Sequence, residues 1–147
     1  MNSFFFFSFV NFLLFVFSQP YFNGYSWIQQ QELISNNGAS GDAFGNSVSI
    51  YGNYSIIGAS YKTIGTNSYQ GAAYIFYFNE SSWIQQQELI SSHGVSGEIF
   101  GRSVSIYANY SIIGANYKTI GSNSYQGAAY FFLTKDISFE LTTRINF

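Results

Sequence analysis

No cysteine occurs in the chain, so disulfides and thiolate metal sites are both excluded. Proline appears once, at Pro20. Charge is equally scarce: Asp, Glu, Lys and Arg together make up 8% of residues, with a formal net charge of -2. Five Lys and Arg cannot form a basic surface for nucleic acid. The one histidine, His93, has no partner at the spacing that a general base or a zinc site requires. It reads as a solvated loop residue. What the chain has instead is aromatic side chain, 22% of residues, and 14 glycines. That is the composition of strands and tight turns, and 147 residues bound it to one domain or part of one.

The chain also says nearly the same thing twice. Residues 27–76 return as 83–132, an offset of about 56 positions, with roughly four positions in five unchanged. Trp27-Ile28-Gln29-Gln30-Gln31-Glu32-Leu33-Ile34 becomes Trp83-Ile84-Gln85-Gln86-Gln87-Glu88-Leu89-Ile90. A repeat of this size is normally one supersecondary unit that buries its apolar face against a neighbour.

Each repeat predicts four strands. Ser47 to Tyr51 alternates small polar with apolar residues, the period of a half-buried strand. Gly52-Asn53 then turns the chain into Tyr54 to Ala59. In the second copy Ala108 replaces Gly52 and resists positive φ, which argues against a strict type I′ turn there. A loop from Ser60 to Gln70 leads to a third strand, Gly71 to Phe78, whose small start suits close backbone approach. Trp83 to Ile90 is the fourth, with the poor alternation of an edge strand facing water. The expected fold is all-β: two β-propeller-type blades of four antiparallel strands each, forming a partial propeller.

Phe44-Gly45-x-Ser47-Val48, Ile57-Gly58-Ala59 and Gly71-Ala72-Ala73-Tyr74-Ile75-Phe76, with their second copies, resemble the FG-GAP repeat. That repeat builds the integrin alpha-chain β-propeller and occurs in many secreted or surface proteins. Two departures stand out. Ser60 and Asn116 occupy the place of the family's Gly-Ala-Pro proline. Calcium-binding members insert an Asp-rich loop between the first two strands, where this chain has only Tyr51-Gly52-Asn53-Tyr54 and Tyr107-Ala108-Asn109-Tyr110. A hard cation would lack its oxygen ligands there. No metal, cofactor or catalytic residue is expected.

The organisation that follows is 1–18 as a signal peptide or uncleaved anchor, 27–82 and 83–134 as the two repeats, and 135–147 as an off-pattern tail. Phe4 to Phe17 suits the apolar core of a secretory signal cut after Ser18, being shorter than the ~20 residues of a spanning helix. Its weakness is an N-terminus without Lys or Arg. Secretion or cell-surface display is the expectation, with membrane contact only if this segment stays uncleaved. The sequons at Asn53, Asn79 and Asn109 fall in predicted turns and are candidate N-glycosylation sites. Asn is also simply a good turn residue.

Candidate ligand contacts lie in the long loops: Tyr61, Lys62 and Tyr69, repeated as Tyr117, Lys118 and Tyr125. The same aromatics suit packing between blades. Trp27 and Trp83 read as inter-blade packing, with glycan stacking as the other reading. Asp42 and Glu98 read as caps of the Gly-rich turns. Glu32, Glu88, Lys62 and Lys118 read as surface ion-pair partners. The second blade lacks a fourth strand after Phe132, while Trp27 to Ile34 is a fourth strand with no blade before it. Two blades do not close a ring. Self-association to complete one, and truncation of a longer protein, both follow as expectations. The functional expectation is a non-catalytic extracellular or surface module that binds protein or glycan. A piece of a larger FG-GAP enzyme, or a truncated product without its own function, is the alternative.

Overall fold

The computed structural model describes Gly24 and residues 26–135, and every named element in them is a strand. The apolar stretch from Phe4 to Phe17, the cut after Ser18 and the tail from Asp136 onward lie outside the described residues. The chain divides into two units, Met1–Gln30 and Gln31–Phe147. Among the described residues of the first, none is in a strand, and Trp27 and Ile28 are exposed.

The second unit holds two antiparallel sheets. The first orders β1 (Phe44–Tyr51), β2 (Tyr54–Ala59), β3 (Ala72–Phe78) and β4 (Trp83–Leu89) side by side. The second orders β5 (Phe100–Tyr107), β6 (Tyr110–Ala115) and β7 (Ala128–Leu133). The all-β expectation holds, and the second blade has three strands among the described residues. β4 occupies the sheet edge that its glutamines suggested. Trp27 to Ile34 is not a strand, although its sequence is that of β4. A strand exists only when its backbone groups find a ladder, and β3 already has β2 and β4 at its sides.

β1 starts at Phe44, earlier than the alternation indicated. Phe44 pairs with Ala59, then the register shifts before Ser47 meets Gly58, which is the mark of a bulge. Alternation also misjudged which side is buried. Val48 and Ile50 are 66% and 65% exposed, whereas Ser47 and Ser49 face the second blade. At the first hairpin Tyr51 pairs with Tyr54. Gly52 and Ala108 both take positive φ, 54° and 49°, while Asn53 and Asn109 do not, so neither turn is type I′. Ala108 accepts the conformation it was expected to resist.

Each sheet has a front face and a back face. The front of the first blade carries Ile57, Ala59, Tyr74 and Phe76, packed with Phe44 and Leu33. Its back carries Ile56 and Ala73, which with Leu89 pack against Phe100, Ile113 and Ala115 on the front of the second blade. Phe100 and Tyr74 are fully buried, and burying one such side chain stabilises by about 2–3 kcal/mol. The blades approach backbone to backbone. Gly71 bridges to Phe100 in parallel, and a Cβ on Gly58 would overlap the Gly101 carbonyl oxygen. Gly101 is similarly crowded by the Ala72 carbonyl. These are the close approaches anticipated for the small end of the third strand.

Candidate functional site

The long loops build the site. In the first, Ile64 and Asn67 exchange backbone hydrogen bonds at 3.1 and 3.0 Å, and the Gly71 N–H donates to the Lys62 carbonyl at 2.9 Å. The second loop repeats this at Ile120, Asn123, Gly127 and Lys118. Each folded loop brings its two tyrosines together. Tyr61 and Tyr69 stand edge to face with ring centres 5.7 Å apart, and Tyr117 and Tyr125 do so at 5.1 Å. Tyr69 and Tyr125 hold φ at 56° and 57°, a left-handed conformation that costs a non-glycine residue roughly 1–2 kcal/mol.

All four rings line one cleft of about 730 Å³ between the blades, together with Ser40, Asp42, Thr63 and Gly97. Backbone bonds fix its floor. Gly97, Ile99 and Phe100 donate to the carbonyls of Ser68, Tyr69 and Gln70 at 2.9, 3.1 and 2.8 Å. The sequence placed these tyrosines in two separate loops. The structure shows them as one surface, with Tyr69 57% and Tyr125 69% exposed.

The two lysines are elsewhere. Lys62 is buried and reaches Asp42 at 3.2 Å and the Asn37 carbonyl at 2.8 Å. Lys118 repeats the arrangement with Glu98 at 3.0 Å and the His93 carbonyl at 2.8 Å. The expectation of surface pairs with Glu32 or Glu88 is therefore corrected: each lysine neutralises the acid beside its own Phe-Gly turn. Asp42 also accepts from the Ala39 N–H at 2.8 Å, and Glu98 from the Val95 N–H at 3.2 Å, so the expected turn capping is present.

Two tyrosines that the sequence did not single out, Tyr74 buried and Tyr130 half-buried, complete these networks. The Tyr74 hydroxyl contacts Asn37 Oδ1 at 3.0 Å and Glu88 Oε1 at 3.1 Å. Burial, then the Glu88 carboxylate, pushes its pKa well above the ordinary tyrosine value. Tyr130 donates to Glu98 and accepts from Ser91, and burial followed by the Glu98 bond raises its pKa too. Burial pulls Lys118 down, but the hydrogen bond and charge of Glu98 outweigh it and the pKa rises. The repeated Gly-Ala-Ala-Tyr was the available signal for both tyrosines.

The tryptophans depart from the inter-blade expectation. Trp83 packs on Phe78 of its own blade at 5.3 Å, and Trp27 is wholly exposed. His93 is exposed beside the Ser92 hydroxyl. Asn53, Asn79 and Asn109 are all exposed, and Asn79 caps its turn by accepting from the Ser82 N–H at 2.8 Å.

The FG-GAP repeat model matches residues 27–76 and 83–132, which is more than half of the chain and coincides with the two repeats. The chain belongs to the FG-GAP repeat family. No curated protein matches it. As an FG-GAP repeat protein it keeps the blade-like sheet of a β-propeller module. Its first-to-second-strand turns, at Gly52-Asn53 and Ala108-Asn109, carry no carboxylate.

Proposed function

We propose that this FG-GAP repeat chain is a non-catalytic binding module at the cell exterior, and that its tyrosine cleft takes a neutral glycan. The observation that carries the proposal is the convergence of four exposed tyrosines on one cleft. Their rings offer flat apolar faces for the C–H faces of sugars, and their hydroxyls offer hydrogen bonds to sugar hydroxyls. Ser40, Thr63 and Ser68 extend the polar lining. Asp42, the charged residue on the wall, is already neutralised by Lys62. A charged ligand gains nothing from such a wall, which favours a neutral one.

The same engagement supports a role without catalysis. A carboxylate held by a lysine and a backbone N–H is poorly placed to move protons for a substrate. Exposed sequons at Asn53, Asn79 and Asn109 and the apolar segment Phe4 to Phe17 favour the extracellular setting and glycosylation.

The test is direct binding of the full chain to a panel of neutral oligosaccharides. Tyr69→Ala and Tyr125→Ala should each weaken binding at least about tenfold, a loss of roughly 1.4 kcal/mol. Binding to a selected peptide with no neutral glycan bound would replace glycan with protein as ligand. Turnover of any bound substrate would defeat the non-catalytic reading.

A further inference from the structure

The second blade ends on an open face. β7 has β6 on one side and no strand on the other among the described residues, whereas its counterpart β3 is covered by β4. On the back of this blade Ala129 is exposed and Phe131 is 74% exposed. In the first blade the corresponding Ala73 is completely buried and the corresponding Ile75 packs half-buried against the core shared with the second blade. At the other end of the stack, Val48 and Ile50 stand exposed on the front of the first blade. Their counterparts Val104 and Ile106 pack into the interface between blades.

The two blade fronts carry the same residues through the repeat. Phe100, Ile113, Ala115, Tyr130 and Phe132 make the front that docks in this chain. Phe44, Ile57, Ala59, Tyr74 and Phe76 hold the same positions on the first blade. There Phe44 is half-buried and the other four are already buried, so that Val48 and Ile50 are the part of this face left open. The missing edge strand is present as well. Trp27 to Ile34 repeats the sequence Trp83 to Ile90 residue for residue, yet it pairs with no strand. Leu33 packs on the front of the first blade beside Phe44 and Tyr74, as Leu89 packs with Phe100 of the second. Gln31 to Leu33 therefore stands where the fourth strand of a preceding blade would end.

We infer that the occupant of the open face is a second copy of this chain, which donates Trp27 to Leu33 as the fourth strand of the second blade and seats the exposed Val48 and Ile50 of its first blade behind it. The contact continues an interface already formed within the chain, displaced by one repeat. It is heterologous, front to back, so repetition gives a closed ring or an open stack. The β3–β4 pairing sets the register. Tyr77 opposite Ile84 becomes Leu133 opposite Ile28, and Ala73 opposite Leu89 becomes Ala129 opposite Leu33. Strand addition of this kind draws affinity from main-chain bonds and specificity from alternate side chains. This inference is independent of the glycan reading, since the tyrosine cleft lies between blades of one chain.

The absence of native cysteine makes the test clean. Full-length Ile28→Cys chains are mixed with full-length Leu133→Cys chains under mild oxidation. Paired residues bring their Cβ atoms about 4.5–5.5 Å apart, within reach of a disulfide. A covalent pair containing one of each variant is expected, several-fold more abundant than from Gln29→Cys mixed with Leu133→Cys, because Gln29 points to the opposite side of the donated strand. Light scattering of the unsubstituted chain should show species of two or more copies that dissociate on dilution. Equal cross-linking by Gln29→Cys, no mixed pair, or an unsubstituted chain that stays monomeric at every concentration overturns the inference. So does an Ile28→Cys/Leu133→Cys double variant that links only within one chain.

Discussion

The Ser47 hydroxyl donates to the Gly101 carbonyl at 2.7 Å, joining the first blade to the bulge that opens the second. Gly58 lies under the same carbonyl and leaves no space for a Cβ. Its counterpart Gly114 meets only atoms of Ser103, the nearest being the hydroxyl of a rotatable side chain. Gly58→Ala should therefore cost about 1–3 kcal/mol of unfolding free energy, and Gly114→Ala clearly less. Urea denaturation of the two variants, read side by side, checks the difference.

The buried pairs predict a different pattern. Asp42→Ala leaves the Lys62 ammonium without its countercharge, at a cost of about 3 kcal/mol or more. The double variant Asp42→Leu/Lys62→Met removes both charges and should be much closer to the parent than Asp42→Ala is. A thermodynamic cycle from the midpoints of chemical unfolding measures this.

Stability should fall on the alkaline side. Tyr74, Tyr130 and Lys118 all have pKa values raised in the folded state. Each group then contributes stability that is fully present below its unfolded pKa and is lost as pH rises through the folded one. Both unfolded values lie at about pH 10. The urea midpoint should hold steady to about pH 9 and then decline. Tyr74→Phe should flatten that decline while lowering stability at neutral pH, through loss of the bonds to Asn37 and Glu88. A decline of the same slope in both proteins would count against the assignment.

Ala108 at φ 49° is a point of repairable strain, because the first copy has glycine at the same turn. Ala108→Gly should raise stability by about 0.5–1 kcal/mol, the relief of the left-handed backbone outweighing the added chain entropy. Differential scanning calorimetry would show it as a higher melting temperature.

Local pattern carried much of the fold. β2 occupies the residues that its sequence marked, because Tyr54 to Ala59 is bounded by turn residues on both sides. The two networks of acid and lysine were not legible. Asp42 and Lys62 are brought together only when the Phe-Gly turn meets the following loop, and charge at that spacing reads as solvated. The inverted burial of Val48 and Serines 47 and 49 has a similar origin. Alternation reports that two faces differ, and the neighbouring blade decides which one is covered. The tyrosine cleft needed the third dimension too, since Tyr61 and Tyr117 lie in different repeats.

Gln31 offers both ends of its amide to one backbone residue: its Nε2 donates to the Trp83 carbonyl at 3.0 Å, and its Oε1 accepts from the Trp83 N–H at 2.8 Å. A side chain thus closes the first donor and acceptor of the exposed rim of β4. Unpaired rims recruit foreign strands, and many proteins blunt them with charge or proline. This chain, poor in both, uses a glutamine as a stopper against sideways growth of the sheet.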